Sequence, residues 1–305
     1  MTRNASGRSH REGMTVAQLR KMFPDNDTAE KWLEEQRWPD GKRHCPDCGS
    51  VNHLVVKTRK PMPYRCRDCR AYFSVRKGTA MDSSKIGFQN WAIAFCMMTT
   101  GIKGTSSMKL YRELGIRQAT AWFLVQRLRE GFMGGLDKPF PGPVEVDETA
   151  VGGKRKNMCG KKRLAGRRCA GKAIAAGVKD METKKGGAAV VDRTNAKVLQ
   201  GFVKDCVEET ATACRGIAHE HDGMPRNAGE HVRGEVHTNG MEGFWSLFNR
   251  VYHGAFHHLS RNQLDRRASA STGRNNVRDV GTLDQIAFFA RGIVGKRIRF
   301  RELVT

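Results

Sequence analysis

The feature that most constrains the fold of this chain is the spacing of four of its cysteines. Cys45 and Cys48 form one C-x2-C pair, Cys66 and Cys69 form another, and 17 residues separate the two pairs. Two such pairs on tight turns bring four thiolates to one tetrahedral ion, whereas an odd total of nine cysteines argues against a disulfide framework. The spacing predicts one structural Zn²⁺ whose closed coordination leaves no position for catalysis.

The segments around the cysteine pairs are typical of a zinc ribbon. HLVVKT and PYRCRDCRAYFSV read as short strands, and we expect their basic residues Arg65, Arg67 and Arg70 to contact DNA. Two short helices are predicted ahead of the ribbon, TVAQLRKMF and DTAEKWLEEQRW, the second capped by Asp27 or Thr28.

A helical region is predicted after the ribbon. GFQNWAIAFCMMTTGI reads as an apolar helix, and SSMKLYRELGIRQATAWFLVQRLREGF reads as two helices joined at Gly115. The pair resembles a helix-turn-helix, with a plain helical hairpin as the alternative. Its predicted inner face consists of Leu110, Leu114, Ile116, Ala119, Phe123 and Leu128. The polar residues left for solvent or DNA are Gln118, Thr120, Gln126 and Arg127.

Charge points to a polyanionic partner. The chain has 54 Lys and Arg against 31 Asp and Glu, a net charge of +23, which favours nucleic acid. No apolar run approaches the roughly 20 residues that span a bilayer, and the N-terminus lacks a signal-peptide pattern. We therefore expect a cytoplasmic, nucleoid-associated chain with no membrane partner.

The most basic segment runs from Lys154 to Lys172 and carries nine basic residues and no acid. Such a segment cannot pack into a core, and it predicts a loop that neutralises phosphates. The predicted DNA contacts in it are Lys154, Arg155, Lys156, Lys161, Lys162, Arg163, Arg167 and Arg168.

Strands and a helix are predicted on both sides of this basic loop. VEVDETAV alternates as a strand with Asp147 at its centre, KAIAAGVKD and AAVVDRT read as two further strands, and NAKVLQGFVKDCVEE reads as an amphipathic helix. This is the opening order of a ribonuclease-H-like α/β domain.

A later helix is predicted to present both a buried stripe and a polar corner. Met241, Phe244, Trp245 and Phe248 recur at helical spacing and form the stripe. Asn239 and Glu242 lie away from the stripe, in a spacing that also suits a capping box with Asn239 as the cap.

VEVDETAVGGK, GEVHTNGMEGFWSLFNRVYHGAFHHLS and the four-cysteine ribbon together resemble bacterial insertion-sequence transposases of the ISXO-like kind, from about Met14 to Leu303. The resemblance implies a zinc-ribbon DNA-binding part and a DDE-type ribonuclease-H-like nuclease. Such a nuclease uses Mg²⁺ or Mn²⁺ to cut and join DNA. The implied partners are double-stranded DNA, as inverted repeats and target, and further copies of the chain.

The resemblance also assigns the metal ligands. Asp147 matches the first ligand position, and the third falls on Asn239 or Glu242, of which Glu242 is the better ligand chemically. His237 would lie beside them and orient phosphate or water. We predict that Asp147 and Glu242 are close enough to share a divalent ion.

One departure from the family concerns the second acid. Relatives carry a further strand that ends in a Thr-Asp pair. In this chain the strand is shortened or missing after Cys214, where the sequence reads ETATACRGIAHEHDG. Asp222 and Asp192 do not match the position. We predict that no Asp occupies it and that strand transfer is weak or absent. The alternatives are an active transposase, an inactive DNA-binding repressor or competitor at element ends, and a zinc-ribbon RNA-binding protein.

The expected organisation is an α/β chain with four regions. The N-terminal helices and zinc ribbon occupy residues 14–82, and the helix-turn-helix-like region occupies residues 85–135. After the linker PFPGP, the ribonuclease-H-like domain occupies residues 141–265 and a basic C-terminal segment residues 266–305.

Overall fold

The computed structural model describes residues 13–101, 104–133, 139–152, 172–193, 195–208, 213–215, 232–233, 236–237, 239–252 and 261–304. The chain forms two compact units, Met1–Phe132 with Val277–Thr305, and Met133–Asn276. Helices and sheets occur in both, so the predicted α/β class is confirmed. No helix within the described ranges is long and apolar enough to cross a membrane. The four predicted domain boundaries stay predictions.

The first unit begins with two helices followed by a small sheet. These are α1 (Val16–Met22), α2 (Asn26–Arg37), β1 (His53–Val55), β2 (Tyr64–Cys66) and β3 (Tyr72–Phe73), with antiparallel order β1-β2-β3. Trp38, which ends α2, has its ring centroid 6.4 Å from those of both Tyr64 and Phe73. The Tyr64 hydroxyl donates to Glu34 Oε1 at 2.7 Å, so α2 anchors the ribbon.

The start of α2 differs from the prediction. Asp25 has extended backbone, and its Oδ1 accepts from the Thr28 N–H at 2.7 Å. The prediction of Asp27 or Thr28 as the cap is therefore wrong by at least two positions. Asp27 instead lies in the first turn, where a negative charge suits the positive helix end.

Three helices follow the ribbon, α3 (Phe88–Thr100), α4 (Ser107–Leu114) and α5 (Gln118–Glu130). Gly115 ends α4 with φ of 63°, a left-handed conformation that glycine adopts without strain. The Ser106 hydroxyl caps α4 by accepting from the Lys109 N–H at 3.2 Å. The predicted pair of helices joined at Gly115 is confirmed.

The buried face of α5 differs in phase from the predicted one. Ala121, Leu124, Val125 and Leu128 form its stripe at i, i+3, i+4 and i+7. Leu110 and Leu128 are buried as predicted, but Ala119 is exposed. Because the helix is rotated relative to the prediction, Gln126 and Arg127 are buried, with 1% and 8% exposure. The prediction that they face solvent or DNA is therefore wrong.

The second unit contains a mixed sheet. Its strands are β4 (Val144–Val151), β5 (Ala173–Asp180), β6 (Gly186–Val191) and β7 (Ala213–Arg215), in the order β6-β5-β4-β7. β4, β5 and β6 are antiparallel, and β7 lies parallel to β4. This arrangement confirms the predicted ribonuclease-H-like fold. A short antiparallel pair follows, β8 (Val232–Arg233) and β9 (Val236–His237).

Helices cover both faces of this sheet. They are α6 (Ala196–Cys206), α7 (Asn239–Val251) and α8 (Arg261–Asn276). Val144, Val146 and Val178 pack with α6 residues on one face. On the other face, Met241, Phe244, Trp245 and Phe248 of α7 pack against Val151, Ala175 and Ala188, which confirms the predicted buried stripe.

α8 satisfies the exposed backbone of β6, an edge strand. The Asn276 side chain accepts from Gly186 N at 2.8 Å and donates to Gly186 O at 2.7 Å. Asp265 Oδ1 accepts from Val190 N at 3.0 Å. These bonds block the edge against pairing with another strand. They also join residues 186 and 190 to residues 265 and 276, across the domain boundary that the sequence predicted after residue 265.

The chain then returns to the first unit through α9 (Thr282–Gly292) and α10 (Arg301–Val304). α9 packs on α3, and the Phe289 ring lies 6.3 Å from the Phe95 ring. Both rings are fully buried. The C-terminal residues thus complete a core that the N-terminal residues begin.

Candidate active site and metal centre

The four ribbon cysteines meet at one point. Cys45 Sγ lies 3.6 Å from Cys69 Sγ, and Cys48 Sγ lies 3.6 Å from Cys66 Sγ. All four sulfurs lie within 4.8 Å of one another. Sulfurs about 2.3 Å from a tetrahedral Zn²⁺ stand about 3.8 Å apart, so the cluster has the size and the donor chemistry that zinc requires.

Two tight turns bring the sulfurs together. Gly49, directly after Cys48, has φ of 76°, and Arg70, directly after Cys69, has φ of 62°. Each left-handed residue reverses the chain immediately after a ligand. The backbone N–H groups of Cys69 and Asp68 lower the pKa of the Cys66 thiol to about 7, whereas hydrogen bonds from neighbouring thiols raise the pKa of Cys48 and Cys69. A bound metal ion would favour the thiolate at all four positions.

A second cluster lies where α7 meets the sheet, and it begins with Glu145 of β4. Glu145 is only 2% exposed, and its Oε2 accepts from the Met241 N–H at 2.7 Å. Lys179 lies directly opposite in β5, is 8% exposed, and donates from Nζ to Gly240 O at 3.2 Å. The carboxylate and the ammonium group together hold the N-terminus of α7 on the sheet.

Two glycines permit this close approach. A Cβ on Gly240 would stand 2.7 Å from both Glu145 carboxylate oxygens, closer than real Cβ contacts. A Cβ on Gly177 would stand 2.8 Å from Trp245 Cζ2 and would also meet Met241 Cε. Because Gly177 is the β5 residue opposite Asp147, the first turn of α7 packs over the middle of β4 and β5.

Asp147 and Glu242 both belong to this side of the unit. Side chains alternate along a strand, so Asp147 shares a face with Glu145, two residues earlier. Asp147 is half-buried, and its Oδ1 accepts from the Glu148 N–H at 2.9 Å. Glu242 is exposed in the first turn of α7. Asn239 is exposed and is the first residue of the helix, not the cap ahead of it that the sequence predicted.

β7 lies where a second acid would be expected. It pairs in parallel with β4, and Arg215 stands opposite Val146, one residue before Asp147. The described residues of β7 are Ala213, Cys214 and Arg215, none of which has a carboxylate. The next acids in the sequence, Glu220 and Asp222, lie outside the described residues.

The described part of the chain contains one group of three or more His, Cys, Asp or Glu side chains close enough to hold an ion, and that group is the four cysteines. Asp147 and Glu242 do not form such a group with a third His, Cys, Asp or Glu side chain among the described residues. The described residues therefore do not complete a two-ion site.

Comparison with known families gives two matches. The Transposase zinc-ribbon domain matches residues 24–72, which include α2 and all four cysteines. The ISXO2-like transposase domain matches residues 139–270, from the start of the sheet into α8. Together the two matches cover more than half of the chain. The chain belongs to the ISXO2-like insertion-sequence transposases. No curated protein and no solved structure matches it.

Membership of this transposase family implies DNA binding. Arg65, Arg67 and Arg70 of the ribbon are exposed, as is Gln118 at the start of α5. Thr120 is half-buried, and Arg127 is buried. The predicted loop contacts between Lys154 and Arg168 lie outside the described residues, and so does the side chain of His237, which ends β9.

Glu145 is the site residue that the sequence analysis missed. Its hydrogen-bond partner, Met241, is 96 residues away in the sequence, so no local pattern shows the contact. The signal was the alternation in VEVDE, which puts Glu145 and Asp147 on the same face of one strand. A second acid on a buried strand face requires a partner, and the N-terminus of α7 is that partner.

Proposed function

We propose that this transposase binds double-stranded DNA at the ends of its insertion sequence but is one carboxylate short of an efficient nuclease site. The observation that supports the proposal is the composition of β7. It pairs with β4 beside Asp147, yet its described residues carry methyl, thiol and guanidinium side chains. Strand transfer should therefore be weak or absent.

In this proposal, Asp147 and Glu242 are the two remaining acidic ligands of the nuclease site. Mg²⁺ or Mn²⁺ would supply the charge that activates the attacking oxygen and stabilises the leaving oxygen. Asn239 and His237 would stand beside Glu242. Glu145 acts as a positioning residue, since it holds the Met241 N–H, one residue from Glu242.

DNA binding is assigned to the first unit and to the basic loop. Arg65, Arg67 and Arg70 lie exposed next to the zinc cluster, where a rigid ribbon fixes their backbone. Arg65 also stacks over Tyr72, with its guanidinium carbon 5.3 Å from the ring centroid. Basic side chains of this kind contact phosphates and set the register on DNA without reading sequence. Further copies of the chain are expected on the same DNA.

The test compares binding and chemistry on one substrate. Purified chain loaded with zinc is mixed with labelled duplex from the element ends, in Mg²⁺ or Mn²⁺. We expect retention of the duplex with strand transfer no greater than that of the Asp147→Asn variant. The double variant Arg215→Thr with Gly216→Asp introduces a Thr-Asp pair at the last described residue of β7 and the residue after it in the sequence, and it should raise strand transfer above both.

Efficient strand transfer by the natural chain, abolished in Asp147→Asn, would overturn the proposed deficiency. It would favour the second candidate, an active transposase in which Asp222 or Asp192 replaces the missing acid, and Asp222→Asn and Asp192→Asn would identify which. Tighter binding to an RNA than to duplex DNA of the same sequence would contradict the DNA-binding assignment. Absence of binding to any duplex would contradict it as well.

A further inference from the structure

A cleft of about 610 Å³ in the first unit falls outside both family matches. One wall is the segment Ser83–Gly87 ahead of α3, and the other is the face of α5 between Ala119 and Arg127, with Phe300. Ile116, Phe123 and Leu124 supply apolar surface, while Lys85, Arg117 and Arg127 supply positive charge. Neither the zinc cluster nor the proposed nuclease residues contribute to it.

Arg127 is the residue that indicates a ligand. Its side chain lines the cleft, only 8% of the residue is exposed, and its Nε has no hydrogen-bond partner among the described residues. The guanidinium carbon lies 4.2 Å from the Phe123 ring centroid. By contrast, Arg129 on the same helix is hydrogen-bonded through Nη1 to Gln126 at 2.7 Å. Burying a charged donor without an acceptor is costly.

The acid that acts on Arg127, Asp82, does not supply that acceptor. Asp82 attracts Arg127 electrostatically, but its hydrogen bonds go elsewhere. Its Oδ1 accepts from the Ser83 hydroxyl at 2.8 Å, and its Oδ2 lies 3.6 Å from Arg297 Nε. An anion that enters the cleft would therefore meet a positively charged side chain whose Nε has no hydrogen-bond partner among the described residues.

The N-terminus of α5 adds a second attraction for an anion. Arg117 precedes the helix and makes no side-chain cap, so the N–H groups of the first turn receive no side-chain acceptor from it. Arg117, Ala119 and Thr120 all line the cleft. Helix N-termini bind phosphate through such N–H groups and the positive end of the helix dipole.

A flat apolar surface lies beside these charges. The Phe300 ring is 5.9 Å from the Trp122 ring and 6.0 Å from the Phe123 ring, yet Phe300 is still 55% exposed. Exposed aromatic faces stack on nucleic-acid bases. We propose that the cleft binds one nucleotide, with its phosphate at Arg127 and the α5 N-terminus and its base against Phe300.

The nucleotide could come from an unpaired DNA end or from a free mononucleotide, and two measurements separate these sources. Calorimetry with the full zinc-loaded chain measures affinity for dAMP and for inorganic phosphate. Anisotropy compares a blunt duplex with the same duplex carrying a one-nucleotide 3′ overhang. The DNA source rests on the proposed function, whereas the dAMP measurement does not. A chain that binds dAMP but no duplex would thus contradict the proposed function alone.

Four variants test the assigned contacts. Arg127→Gln should weaken dAMP binding about tenfold, as expected for the loss of a charge-assisted hydrogen bond. Phe300→Ala should weaken dAMP binding but leave inorganic phosphate binding unchanged. Arg117→Gln should weaken both ligands. Arg20→Gln, which removes an exposed charge from α1, should change neither.

An overhang preference that disappears in Arg127→Gln would support the DNA end as the source, and dAMP binding without that preference would support the free nucleotide. The proposal fails if the natural chain binds neither dAMP nor the overhang selectively. It also fails if a folded Arg127→Gln variant keeps its affinity. If Arg127→Gln does not fold, unchanged affinities in both Arg117→Gln and Phe300→Ala overturn it.

Discussion

We expect single cysteines to have a large effect on the stability of the ribbon, because its hydrophobic core is small. Cys45 and Cys66 are buried at 2% and 1% exposure, whereas Cys48 and Cys69 are exposed. Beyond the cysteines, the ribbon interior consists mainly of Phe73, Tyr64 and the neighbouring Trp38. A metal ion at the four sulfurs would therefore contribute much of the folding free energy of this module.

We predict that Cys66→Ser loses the zinc ion and unfolds the ribbon, because three thiolates cannot close the tetrahedral site. Metal analysis of the purified chain should give one zinc for the natural protein and much less for the variant. Cys206→Ala is the matched control, since Cys206 is a buried thiol in the other unit. A Cys66→Ser chain that keeps one zinc and binds DNA normally would contradict the prediction.

At the residue scale, spacing predicted the cysteine cluster because its geometry repeats within two short turns. It could not predict the burial of Arg127, because that depends on the rotation of α5. Hydrophobic residues occur all around this helix, so at least two stripes were compatible with the sequence. Packing in the folded unit selects the stripe of Ala121, Leu124, Val125 and Leu128 and turns Arg127 inward.

At the scale of elements, the contact between α7 and the sheet depends on a glycine, which has no side chain. Gly177 lies in the middle of β5, where Trp245 and Met241 occupy the space of a Cβ. The Trp245 ring is rigid and packed among Phe244 and Phe248, with centroids 4.9 and 5.8 Å away. A methyl group at residue 177 would force α7 away from β4 and β5.

Gly177→Ala is therefore expected to destabilise the protein by about 1–3 kcal/mol, the usual effect of overpacking a core. Gly201→Ala in α6 is the control, because a Cβ there meets nothing within 4 Å. That change should stabilise the protein by about 0.4–1 kcal/mol through the unfolded state. Urea unfolding of both variants measures the difference. Equal stability of the two variants would show that α7 does not pack tightly over Gly177.

Periodicity predicted these elements well because each follows the repeat of its own secondary structure. β4 alternates along VEVDETAV, and the Met241, Phe244, Trp245 and Phe248 stripe follows the helical repeat. The expectation that strand β7 is shortened or missing came only from a departure from relatives. It stays a prediction, because the residues on either side of Ala213–Arg215 lie outside the described ranges. The pairing of β7 with β4 depends on a parallel register between distant segments, which local sequence does not encode.

At the scale of the whole molecule, the two ends of the chain form one unit and the nuclease fold lies between them in sequence. Phe289 from the C-terminal part packs on Phe95 and Phe132 from the N-terminal part. No sequence pattern within residues 277–305 indicates that α9 packs on α3, because an apolar helix face of this kind could be buried against any hydrophobic core. The net charge of +23, in contrast, follows from composition alone.

That charge leads to the last prediction, the dependence of DNA affinity on salt. Each phosphate contact releases counterions and adds about 0.9 to the slope of log affinity against log salt. Changing Lys161, Lys162 and Arg163 together to Gln should lower the slope by about two to three units if the loop contacts DNA. The matched control changes Arg20, Lys21 and Lys31, which are exposed on α1 and α2, to Gln. Both triple variants lose three positive charges, so a purely global charge effect would lower both slopes equally. A lower slope in the loop variant alone, measured by titration at several salt concentrations, is expected, and an unchanged slope would remove this loop from the interface.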